Sequence, residues 1–155
     1  MKIQFEMLRA SRKNVLEVLE QATAKALTTI PKSFNNHMIW NAGHLLATQQ
    51  ILIYTSSNTS ENLDKEFIKK YAKGTFPGDV SIDEIELIKS KLIPSIDQTE
   101  EDYANKVFGE YVPRMTSYGV QLDSVEDAIS FLNVHEAMHF GQIKMLKKLT
   151  DPANL

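Results

Sequence analysis

Histidine is scarce in this chain, four among 155 residues, and two of the four, His135 and His139, stand four positions apart. In a helix that spacing stacks them on one face with Cβ atoms ~5–6 Å apart, so both imidazoles could converge on one ion. The same stripe carries Ala128, Leu132, His135, His139, Gln142 and Leu146. Its ends are apolar, which predicts that it faces the protein interior. Two histidines buried side by side repel each other if protonated, and if neutral each still needs partners for both ring nitrogens. A metal ion answers both needs. A structural reading competes with it, in which the pair is bonded to carbonyls or lies at an exposed edge.

A third ligand has to come from another helix, and the segment Asn36-His37-Met38-Ile39-Trp40-Asn41-Ala42-Gly43-His44-Leu45 supplies two candidates. Seven residues place His37 and His44 within roughly 20° on one stripe but about 10.5 Å apart along the axis. Metal–nitrogen bonds of ~2.0–2.1 Å cannot bridge that gap, so at most one of them ligates. Gly43 permits close approach beside His44, and His44 sits inside the helix rather than at its first turn. His37 reads better as a capping, packing or pocket-rim residue. A three-histidine site leaves coordination positions open, as catalytic rather than structural zinc sites do.

Other motifs share these residues. His135-Glu136-Ala137-Met138-His139 has the zincin pattern, in which the glutamate is a general base, but no His or Glu follows His139 to complete such a site. Glu136 lies ~100° around the helix from His135 and is the candidate acid–base residue; the alternative is a carboxylate bonding a neighbouring helix or a histidine. A di-iron reading needs a Glu three before His44, where Asn41 stands. Asn41 and Gln142 are placed to orient an imidazole or to bind a molecule on the metal, against the plainer reading of surface amides. Trp40, four before His44, walls the site or packs the helix interface. Tyr111, Arg114 and Tyr118 lie in the loop before the last helix and could reach the site mouth as anion-binding or proton-transfer groups. Lys144, Lys147 and Lys148 complement that helix's dipole.

These residues must be carried by helices. Phe5, Leu8, Val15, Leu19, Ala22 and Ala26 recur at helical spacing, predicting helix one over about 2–25. The turn and capping cluster of 28–36 releases helix two near His37, running to about Thr55. A short helical piece over 65–72 precedes the breaker at 74–78 and forms a lid or rim. Ser81 and Glu84 make a capping box for helix three, which keeps its period through Pro94, with a kink, to near Asn105. Asp123 or Ser124 caps helix four, which runs to about Leu149. The prediction is an all-α four-helix bundle, with a short extra helix between helices two and three, forming one domain over 1–155.

Composition narrows the function. With 43% hydrophobic and 24% charged residues the chain reads as an ordinary globular protein. A net charge of −3 gives no basic field for nucleic acid or an anionic membrane. Cysteine is absent, which removes disulfides, thiolate metal sites and cysteine nucleophiles. No apolar run approaches the ~20 residues of a membrane span, and charges interrupt 1–13 too often for a signal peptide. The expected location is the cytoplasm.

The segment Trp40-Asn41-Ala42-Gly43-His44-Leu45, followed about ninety residues later by His135-Glu136-Ala137-Met138-His139-Phe140-Gly141-Gln142-Ile143, resembles the DinB-like (DinB/YfiT) superfamily of metal-dependent enzymes. The resemblance covers nearly the whole chain in helix order and spacing. It implies a four-helix bundle in which one histidine of helix two and two of helix four bind a divalent metal (Zn, Ni or Fe), matching His44, His135 and His139. It further implies a homodimer acting on a small-molecule substrate. Characterised relatives include transferases and isomerases that use bacillithiol, mycothiol or glutathione, so a low-molecular-weight thiol is an expected co-substrate. A metal-dependent hydrolase and a non-catalytic metal- or small-molecule-binding bundle are the alternatives.

Overall fold

The computed structural model describes residues 1–150, so the last five residues of the expected domain lie outside the described residues. Helix α1, Lys2–Glu20, turns Phe5, Leu8, Arg12, Val15 and Leu19 inward at the predicted spacing. It stops five residues early; Thr23 then caps a separate short helix, α2, Ala24–Thr28. Helix α3, Met38–Gln49, is buried at every position except Thr48. It continues as a turn of π-helix, Gln50–Tyr54, and a 3₁₀ turn, Thr55–Ser57, that ends on Asn58 in the left-handed region. The expected rim piece is α4, Lys65–Lys70, capped by the Asp64 carboxylate.

The third predicted helix is two helices, α5, Ile82–Lys91, and α6, Pro94–Ala104. Pro94 has no N–H to continue the ladder, and it starts the new helix in its first turn, where that donor is not needed. Ser81 caps α5 through the Glu84 amide, but the Glu84 side chain turns away to Lys70 and Tyr71, so the capping box is one-sided. Helix α7, Val125–Thr150, is the long final element, its first turn held by Ser124 through the Asp127 amide. A small antiparallel pair not anticipated from the sequence, β1 (Arg114–Met115) with β2 (Gln121–Leu122), folds the connection before α7.

The result is an all-α bundle: α7 packs along α1 and α3, α3 also meets α5, and α1 meets α6. Its interior is two apolar clusters. One gathers Val15, Leu19, Leu46, Tyr71, Ile88 and Ile143; the other gathers Phe5, Leu8, Ile53, Ile96, Ile129 and Leu132. Between the stretches of α1, α3 and α7 that feed these clusters lie buried polar residues, Arg12, Gln49, His135, Glu136 and His139, while His44 sits among the first cluster's residues on α3. Polar side chains that can do chemistry are therefore enclosed within the bundle next to a dry core.

Candidate metal centre

His44, His135 and His139 are each buried, and one ring nitrogen from each lies within 4.8 Å of the others. Ring centroids are 5.2 Å apart for His44 and His135, 4.9 Å for His44 and His139, and 4.4 Å for His135 and His139. The helical spacing thus does what it was expected to do, and α3 delivers His44 to the α7 pair.

Two of the rings are held in a defined tautomer. The His44 Nδ1 lies 2.7 Å from the Tyr71 carbonyl, which can only accept, so Nδ1 carries the proton and Nε2 the lone pair, which the Thr48 hydroxyl meets at 3.3 Å. The His139 Nδ1 lies 2.8 Å from Asn41 Oδ1. The Asn41 amide nitrogen donates to Asn36 Oδ1 and the His37 carbonyl, both acceptors, so its oxygen is the atom turned to His139. His139 too therefore offers Nε2. Such acceptors behind an imidazole fix its orientation and raise its basicity as a ligand. Trp40 stacks on His44 with centroids 4.8 Å apart and planes 9° from parallel, and its Nε1 donates to Thr75.

The local sequence explains how Tyr71 arrives. A Cβ on Gly43 would sit 2.5 Å from the Tyr71 ring, so only glycine lets that ring lie against α3. The ring's hydroxyl donates to Glu84, which also pairs with Lys70, tying α4 and α5 behind the site. Gly43 thus admits an aromatic ring rather than a helix axis. Tyr71 itself carried no signal in the sequence.

The donor set suits a divalent ion. Burial presses His135 down to about 2 and, with the neighbouring His44, presses His139 down to about 3; burial also lowers His44. All three rings are therefore neutral at ordinary pH, the state a metal requires. The His135 Nδ1 is buried with no hydrogen-bond partner, a cost that two of the three rings avoid. Two bonds of ~2.1 Å span at most ~4.2 Å. The present spread of up to 4.8 Å is a little wider than that, so the rings would have to draw together to hold one ion.

The remaining candidates fall in distinct places. His37 caps α3, its Nδ1 accepting from the Trp40 amide at 3.0 Å, and takes no part in the cluster. Gln142 is half-buried, with its Oε1 enclosed and unpartnered. Tyr118 is exposed, donates to the Met138 sulfur and meets the Phe131 ring edge-on. Glu136 is fully buried, and its Oε1 receives Nε and Nη2 of fully buried Arg12, each at 2.6 Å. Burial raises the Glu136 carboxyl while Arg12 works against that shift. Arg12 also donates to the Leu92 and Leu45 carbonyls, Ser95 and Gln49, lacing α1, α3 and the α5–α6 break to α7.

Beside His44 and His135 opens a cavity of about 210 Å³, whose wall includes Thr48, Lys73, Arg114 and Phe131. Ile51 and Leu52 of the π-turn line it as well, and such turns recur at functional sites because they re-aim side chains. A helical bundle with a buried three-histidine cluster opening on a small cavity defines a candidate metal-binding protein. A family model described as the DinB superfamily matches residues 7–143, and the chain belongs to that superfamily. No curated protein matches it.

Proposed function

We propose that this protein is a metal-dependent enzyme, a thiol-dependent S-transferase or related isomerase, with a divalent ion held by His44, His135 and His139. The observation that carries the reading is the pairing of two oriented, neutral imidazoles with a third whose Nδ1 has no partner, two of the three lining a cavity. When bound, the ion supplies Lewis acidity that lowers the pKa of a nucleophile such as a thiol of the bacillithiol, mycothiol or glutathione type. The chain contributes the rest. Tyr71 and Asn41 hold the Nδ1 protons so that Nε2 lone pairs converge. Trp40 covers one face of His44, and the apolar wall of Phe131, Ile51 and Leu52 limits water.

Glu136 stands outside that chemistry in this reading, because it is fully buried and its Oε1 is held by Arg12, its Oε2 being enclosed without a hydrogen-bond partner. That favours transfer to a bound small molecule over peptide hydrolysis, which would need this glutamate on a metal-bound water. The test is elemental analysis of untagged protein, followed by thiol consumption with electrophilic acceptors in metal-loaded and chelated samples. Metal-dependent loss of free thiol supports the reading. Stoichiometric metal with no turnover of any thiol would favour a non-catalytic metal-binding bundle.

A further inference from the structure

The cavity beside the histidines is lined by two cations, Lys73 and Arg114, and by no acidic residue. Among the described residues neither cation is in an ion pair with a carboxylate. Arg114 is half-buried, and its Nε is enclosed without a hydrogen-bond partner. An enclosed guanidinium donor left unpaired is costly, and a planar anion is the group that best satisfies it. Arg114 is no floppy surface residue: it is one of the two residues of β1, paired with Leu122, whose side chain is buried in the core. The same cavity is lined by apolar groups, Phe131, Ile51 and Leu52. The volume, about 210 Å³, lies below the ~300 Å³ at which drug-sized pockets begin, so the occupant is small.

We propose that this cavity takes a small organic acid, its carboxylate held by Arg114 and Lys73, its apolar body against Phe131, and its reacting end toward His44 and His135. The assignment rests on the metal-dependent reading above and names the substrate class for it. Arg114 sets which molecules enter and how they lie.

Isothermal titration with benzoate and with benzamide, its neutral isostere, tests the proposal on both zinc-free and zinc-loaded protein. Benzoate is expected to bind about tenfold tighter or better, since charge-assisted pairs of this kind are worth a factor of that order. The preference should shrink as salt is raised from low to high ionic strength. It should vanish in the Arg114→Gln, Lys73→Gln double variant and largely survive in Arg114→Lys, with zinc stoichiometry unchanged in both. Equal binding of the two probes, binding of neither, or a preference that persists in the double variant overturns the proposal. Zinc titration is read separately: failure of wild-type protein to bind zinc strikes the metal reading, whereas the benzoate preference of zinc-free protein stands or falls by itself.

Discussion

The carbonyl of Tyr71 accepts the Nδ1–H of His44 at 2.7 Å, and Tyr71 reaches that position because residue 43 has no side chain. Substituting Gly43→Ala places a methyl 2.5 Å from the ring and forces Tyr71 outward. Overpacking of this kind costs ~1–3 kcal/mol, and here it also takes the acceptor from behind His44. The expected outcome is a lower melting temperature together with weaker zinc binding. A variant that loses stability yet keeps full zinc affinity would show that the Tyr71 carbonyl does not orient His44.

Asn41 plays the corresponding part for His139. Asn41→Leu keeps bulk but removes the Oδ1 acceptor, and loss of such a partner typically lowers metal affinity by ~10–100-fold. Competition titration against a chromophoric chelator measures this directly. Asn41→Asp, which keeps an acceptor, should retain more affinity than the leucine variant.

Acid should destabilise the metal-free protein. Burial holds His135 down at about 2, His139 at about 3 and His37 at about 4 in the folded chain, against ~6.5 when unfolded. Between those values the unfolded chain binds more protons, so stability is lost as pH falls below the unfolded value, by up to ~1.4 kcal/mol per pH unit per histidine. Urea melts of the metal-free protein at pH 7, 6 and 5 should show a falling midpoint. A midpoint unchanged from pH 7 to 5 would contradict buried neutral histidines.

The buried Arg12–Glu136 pair is expected to act on stability rather than on metal binding. Removing one partner of a buried pair strands the other charge, at ~3–5 kcal/mol. Glu136→Ala should therefore lower the melting temperature steeply, and Glu136→Gln, which keeps an acceptor for Arg12, should do so less. Zinc content of the folded protein should be unchanged in both. Loss of zinc from well-folded Glu136→Gln would place Glu136 in the metal site after all.

Much of this was legible in the sequence, for physical reasons. The spacing of four on one helix, the seven-residue separation of His37 and His44 and the family motif selected the three histidines that the fold brings together, whereas the glycine beside His44 serves a ring rather than the helix approach expected of it; the stripe of Asn41 foretold its contact with His139. What escaped depends on chain returning from a distance. Tyr71 supplies a backbone carbonyl, which leaves no trace in residue type. Arg12 looked like one charge in a mixed-charge segment, and only the freed carbonyl of Leu92 and the facing Glu136 give it a buried role. The apolar period runs unchanged through Pro94 and so predicts one kinked helix, while the backbone breaks there into α5 and α6.

The central claim is that α3 gives the ion His44 and not His37. His37 caps α3 about two turns away, its Nδ1 already committed to the Trp40 amide. Loss of that cap should cost ~1 kcal/mol of stability and no metal. The deciding measurement is zinc content, by mass spectrometry, of untagged wild-type, His37→Ala and His44→Ala proteins shown to be folded by circular dichroism. The account predicts about one ion per chain in wild type and His37→Ala and almost none in His44→Ala. An empty His37→Ala protein beside a loaded His44→Ala protein would contradict it.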